Sequence, residues 1–161
     1  MALTTNKRVL VTRFERETLV GFVQSPGGFG PDAVELLTPA GALLRIPYPE
    51  VKAVCFVKDF EGGETWREHR SFATRPKSSG LWVRFVFRDH DTTEGLVPNN
   101  LMLVEHLGFY LVPPDPTFHN QRLFLPRTAL SEVQVLGVIG SPLRRKKAPA
   151  GQGADGQLEM F

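Results

Sequence analysis

Apolar residues along the chain fall in short runs rich in Val, Leu and Phe. The runs are Val9–Phe14, Leu19–Val23, Val34–Leu37, Val51–Val57, Leu81–Phe87, Phe109–Val112, Leu123–Leu125 and Val133–Ile139. Gly and Pro separate them, and no window sustains an apolar face at the helical period. Strands of this length and spacing predict an all-β barrel or sandwich. The 15 Gly and 13 Pro among 161 residues exceed average usage and suit a fold of strands and turns.

The pattern also repeats. Arg13, Phe14 and Gly21 resemble Val86, Phe87 and Gly95: a strand, a charged turn, a second strand and a glycine. Leu37 and Pro39 follow Gly21 as Leu111 and Pro113 follow Gly95, at an offset of 74 residues. For Pro47/Pro126, Val51/Leu130 and Val54/Val133 the offset is 79, so the second copy carries five extra residues within Pro114–Gln121. The expected organisation is a first small barrel over residues 7–57, a charged linker over 58–80, a second barrel over 81–140 and a tail over 141–161. Copies near ~60 residues are marginal alone, so the two should pack together or share strands.

Charge sharpens this division. The formal net charge is +2. Residues 141–161 hold four bases, Arg144, Arg145, Lys146 and Lys147, against Asp155 and Glu159, and so account for the whole excess. The body is neutral, unlike a uniformly basic nucleic-acid binder. No apolar run approaches the ~20 residues of a membrane span, and Met1–Arg8 has no apolar leader core. The expected address is the cytosol, with no membrane partner. The single Cys55 excludes an internal disulfide and a multi-cysteine zinc site.

Each copy resembles a small SH3-like or Sm-like barrel: a strand, a turn, a strand ending in Gly, a bent third strand, then Pro and a final strand pair. Residues 7–143 also resemble an uncharacterised bacterial family of acidobacterial type. The stretches Arg45-Ile46-Pro47-Tyr48, Glu50–Val57 and Asn120–Pro126 carry that resemblance, which implies two such barrels and no assigned activity. Sm-like RNA binders use an Asp and Asn in one loop and an Arg-Gly pair in another. Here the matching turns are Arg45-Ile46-Pro47 and Phe124-Leu125-Pro126, so that RNA site is not implied. Cyclic-dinucleotide-binding barrels need spaced arginines before the barrel and an Asp/Asn-x-Ser-x-x-Gly turn. Arg67 and Arg70 have the wrong spacing, and the turn is absent.

No catalytic constellation emerges, and no enzyme activity, metal or cofactor is expected. His69, His90, His106 and His119 show no ligand-pair spacing. His90 lies between Asp89 and Asp91 in a hairpin turn, where Asp serves backbone geometry and a solvated role is expected. Cys55 sits in an apolar run and should fill the core. Pro26-Gly27-Gly28-Phe29-Gly30-Pro31 lacks the Lys-Ser/Thr of a phosphate loop and is expected to be a flexible loop.

Arg67–Arg88 holds six bases and one acid, whereas Asp89–His119 holds five acids and no Lys or Arg. Neutralisation across paired strands is the expectation. The alternative is a groove in which Arg67, Arg70, Arg75 and Lys77 hold single-stranded DNA or RNA against Trp66, Phe72 and Trp82.

Beyond Pro142 the composition turns basic, then rich in Ala, Pro and Gly, as in a disordered linker. Gln157-Leu158-Glu159-Met160-Phe161 follows. These residues resemble the peptide by which bacterial polymerases and mismatch-repair proteins bind the DNA sliding clamp: Gln, usually Leu, any residue, Leu or Met, then Phe. A match at all four defined positions at one fixed place has a chance on the order of 10⁻⁴ or less from residue frequencies. The resemblance implies a clamp partner. Gln157, Leu158, Met160 and Phe161 would enter its groove, and Arg144–Lys147 could contact DNA phosphates. The alternatives are that the apolar tip docks on its own barrel or on a neighbouring subunit, that it meets another partner, or that the protein is a plain scaffold module.

Overall fold

The structure is a computed structural model and describes residues 5–25, 27–61, 69–100, 102, 106–114 and 120–140. It is all-β among these residues. The first five strands are β1 (Thr5–Arg13), β2 (Leu19–Ser25), β3 (Ala33–Leu37), β4 (Leu43–Pro47) and, after a 3-10 turn at Tyr48–Glu50, β5 (Val51–Val57). The next five are β6 (Gly80–Phe87), β7 (Thr92–Val97), β8 (Gly108–Leu111), β9 (Asn120–Pro126) and, after a 3-10 turn at Arg127–Ala129, β10 (Leu130–Ile139). They form a seven-stranded sheet in the order β4-β3-β2-β1-β5-β9-β8 and a three-stranded sheet in the order β10-β6-β7. A Leu96–Val112 bridge links the two, with both backbone hydrogen bonds made.

The pairings repeat along the chain. Within β1 and β5, Val9 faces Phe56, Val11 faces Val54 and, past a bulge, Arg13 faces Val51. Within β6 and β10, Val83 faces Val135, Phe85 faces Val133 and, past an irregularity, Phe87 faces Leu130. Each second pair is the first displaced by 74 residues on one strand and 79 on the other. Hairpin register gives the same offset, because Val9 faces Gly21 and Val83 faces Gly95. Arg13 is therefore the counterpart of Phe87, one residue away from the Phe14–Phe87 match made on sequence. A Cβ on Gly21 would lie 2.5 Å from the Leu37 carbonyl oxygen, and one on Gly95 would lie 2.1 Å from Leu111 Cδ1. Both glycines mark places where the bent strand crosses too closely for a side chain.

The two copies do not have separate interiors. All seven residues of β5 are buried, as expected for a strand covered on both faces. Its Val51, Val54 and Phe56 join Val9, Val11, Val34, Leu36 and Phe124 in one core. Its Ala53, Cys55 and Val57 join Leu10, Phe85, Phe87, Leu111, Leu123 and Leu125 in the other. Cys55 is fully buried. Side-by-side pairing of β5 with β9 makes the sheet continuous from one copy into the next.

Two strands were absent from the apolar runs. β4 is an edge strand with Leu43, Leu44 and Arg45 exposed, so it lacks alternation. β7 buries Thr93 and Glu94, which look like surface residues in a sequence. Of the hexapeptide expected to be a flexible loop, Pro26 lies outside the described residues and residues 27–31 make defined contacts. Its Gly28 and Gly30 amides donate to the Gln24 and Ala33 carbonyls, and the Glu35 amide donates to the Gly28 carbonyl. The loop places Phe29 against Phe56, Tyr110 and Phe124, at ring-centre distances of 6.1, 6.1 and 4.8 Å. Burying an aromatic ring holds a segment that glycine content alone would leave loose.

Candidate functional site

Lys52 lies on β5 with its side chain 5% exposed. Its Nζ donates to Asp89 Oδ2 at 2.8 Å and to Asp91 Oδ2 at 2.6 Å. The Phe87 ring centre is 5.0 Å away. Burial of a lone ammonium is costly unless it is paired and hydrogen-bonded, and here both carboxylates come from the β6–β7 turn of the other copy. That turn is shaped for the task. His90 takes φ +74°, its amide donates to the Phe87 carbonyl, and the Asp91 amide donates to Asp89 Oδ1. Arg70 Nη1 stands 3.4 Å from Asp91 Oδ2. Asp89 and Asp91 thus keep the exposed hairpin-turn position and backbone role expected, with side chains 40% and 45% exposed, and in addition hold a buried cation.

Burial pushes the Asp89 carboxyl upward, but the Lys52 hydrogen bond, the Asp91 amide and the Lys52 charge outweigh it, and the group lies below its ordinary value. Asp91 is lowered chiefly by the Lys52 hydrogen bond, against burial, with further help from the Lys52 and Arg70 charges. The cluster borders an open cleft of about 540 Å³ lined by Thr12, Arg13, Phe14, Glu15, Arg16 and Glu17 as well as Lys52, Asp89 and Asp91. Its walls carry both signs of charge. The one sequence signal for this cluster is a single Lys inside the apolar run Val51–Val57, and its carboxylate partners are distant in sequence.

A second polar cluster fastens the segment leading into β6. Glu94 Oε1 accepts from the Phe72 amide at 3.1 Å and from Trp82 Nε1 at 3.0 Å. The Glu94 amide donates to the Arg70 carbonyl at 2.6 Å. Arg84 faces Glu94 across the β6–β7 pair, with Nη2 4.0 Å from Oε2. Phe72 and Trp82 meet edge to face, 6.4 Å between centres.

These contacts locate the body residues singled out on sequence. Arg70 engages Asp91 and donates to the Thr92 carbonyl at 3.2 Å. Arg75 donates to the Val138 carbonyl at 3.1 Å and, like Lys77, is exposed. Arg67 and Trp66 lie outside the described residues, as do His119, Arg144, Arg145, Lys146, Lys147, Gln157, Leu158, Met160 and Phe161. Among the described residues no cluster of three or more His, Cys, Asp or Glu could hold a metal ion, and no helix is long and apolar enough to cross a membrane.

The fold therefore defines an all-β protein of two sheets in which the Lys52 cluster braces one copy of a repeated strand pattern against the other. The chain belongs to a family of unknown function (DUF6982), whose model matches residues 5–137. No curated protein and no solved structure matches it.

Proposed function

We propose that the protein is a non-enzymatic adaptor brought to the bacterial DNA sliding clamp by Gln157, Leu158, Met160 and Phe161, with a role in replication or repair. The observation that carries this reading is the pentapeptide itself, set behind Arg144–Lys147 and an Ala/Pro/Gly-rich stretch. Leu158, Met160 and Phe161 would fill an apolar groove, each burial contributing roughly 1.5–3 kcal/mol. Ordering the backbone costs roughly 1–2 kcal/mol per residue. The balance gives weak, reversible binding, strengthened where a clamp offers two grooves or where the basic stretch also meets DNA.

The body, on this reading, is a pair of SH3-like or Sm-like small barrels that presents a second binding surface. Its central charged groups support a bracing role: Lys52, Arg70 and Arg84 meet Asp89, Asp91 and Glu94 within the chain. That arrangement favours the adaptor over an independent nucleic-acid binder.

The test is binding of the full chain to a purified bacterial clamp, compared with a Leu158→Ala/Phe161→Ala variant. Two truncated anchors at roughly 1.5–3 kcal/mol each predict a loss of about 100-fold or more. Equal affinity of the two proteins, or no binding by the native chain, removes the proposal. Binding of single-stranded DNA or RNA that is lost on Arg70→Glu/Arg75→Glu, and is indifferent to the tail substitutions, would favour the nucleic-acid reading instead.

A further inference from the structure

The strand pairing that unites the two copies leaves its two halves unused at the edges of two different sheets. Inside the chain, β5 of the first copy pairs antiparallel with β9 of the second: Val54 faces Phe124, Cys55 faces Leu123 and Phe56 faces Arg122. The counterpart of β5 is β10, because Val51 corresponds to Leu130 and Val54 to Val133. The counterpart of β9 is β4, because Pro126 corresponds to Pro47 and Leu123 to Leu44. Among the described residues, β10 is an edge strand paired with β6, and β4 is an edge strand paired with β3.

The side chains follow the same logic. At the inner joint Val54, Cys55 and Leu123 are 0% exposed, Phe124 1% and Phe56 7%. On the free edges, Val133 is 41% exposed, Val135 60%, Val138 56%, Leu43 67% and Leu44 38%. Val138 lies beyond the transferred joint, and the other four are half of the eight large apolar side chains left exposed among the described residues, so exposure is enriched where the inner joint would be repeated. An apolar edge with unpaired amides and carbonyls is a template for another strand.

We infer that the protein self-associates head to tail, β10 of one molecule adding to β4 of a second copy in the register of the inner joint. Transferring that register sets Val133 opposite Arg45, Gln134 opposite Leu44 and Val135 opposite Leu43. The contact is heterologous: each addition consumes one β10 and one β4 and leaves one of each free. Assembly therefore closes into a ring or continues as a filament. The second copy is the fitting occupant because the chain already contains this joint, with the same two strand types and the same strand direction.

The experiment uses the full chain and two edge variants, Leu43→Lys on β4 and Val135→Lys on β10. Both positions are exposed, so each variant should keep the native circular dichroism spectrum. Sedimentation velocity of the native protein should show species at multiples of the 18.0 kDa chain mass, increasing with concentration. Each variant alone should sediment as a single chain. An equimolar mixture should give a dimer at twice the chain mass and nothing larger, because one variant supplies an intact β10 and the other an intact β4. A native protein that stays single at every concentration overturns the inference, whether the edges are open or covered by the chain's own tail or by another partner. So do variants that assemble as the native protein does, or a mixture that remains monomeric.

Discussion

Replacing Lys52 by Met isolates the brace between the two copies. Methionine fills much the same space but leaves Asp89 and Asp91 facing each other without their cation. Two charge-assisted hydrogen bonds of 2.8 and 2.6 Å disappear. Hydrogen bonds to charged groups contribute roughly 1.5–3 kcal/mol each, and breaking a buried ion pair costs roughly 3–5 kcal/mol. The carboxylates are 40% and 45% exposed, and Arg70 still lies 3.4 Å from Asp91, so water and Arg70 recover part of that loss. The expected destabilisation is about 2–3 kcal/mol, which for a domain of this size lowers Tm by roughly 4–12 °C. Urea titration followed by circular dichroism measures it. The loss should depend on pH in a defined direction. Both aspartates lie below their ordinary value of 3.8, so their contribution is complete above that pH and fades as pH falls through their native values. The gap between native and variant protein should therefore narrow in acid. A Lys52→Met/Asp89→Asn/Asp91→Asn variant should regain part of that stability at neutral pH, because the two carboxylates no longer face each other without their cation, although Arg70 loses its Asp91 contact. The reasoning fails if Lys52→Met equals the native protein at neutral pH, or if the gap is the same in acid.

Three further outcomes follow from the geometry. Tyr48 donates to the Gly30 carbonyl at 2.6 Å, and burial, then Tyr110 and Asp32, push its pKa from 10.0 to about 12. Its contribution is complete below pH 10 and lost as pH rises toward 12; alkaline unfolding should steepen over that interval, and Tyr48→Phe should remove the steepening. Glu94→Ala deprives the Phe72 amide and the Trp82 indole of their acceptor. Hydrogen exchange at Phe72 should accelerate, with stability falling by about 2–4 kcal/mol, whereas unchanged protection would mean that other contacts hold the segment. Gly95→Ala forces a methyl against Leu111, which is 1% exposed and has little room to move. A cost of about 1–3 kcal/mol in thermal melts is expected from such overpacking, and a neutral result would show that the crossing is looser than described.

Much of this architecture was legible from apolar patterning. β5 stands out as a continuous run because it is covered on both faces, and the Gly21/Gly95 and Pro47/Pro126 correspondences mark positions where backbone crowding or a turn restricts the choice of residue. What stayed hidden depended on partners distant in sequence. Lys52 looks like an ordinary interruption until the β6–β7 turn is brought over it. Glu94 looks like a surface charge until Phe72 and Trp82 converge on it. Phe29 is a lone aromatic in a glycine-rich stretch until the β5–β9 pair supplies Phe56 and Phe124. β4 is missing from the apolar runs for the opposite reason: an edge strand need not alternate, and its exposed leucines give no period.

The most direct test of the adaptor reading is an amide-resolved nuclear magnetic resonance titration of the full chain with a purified bacterial sliding clamp. Perturbations centred on Gln157, Leu158, Met160 and Phe161, with resonances of Val9, Cys55 and Phe85 unshifted, are the predicted result. Perturbations centred on the strands, or a spectrum the clamp leaves unchanged, would contradict it.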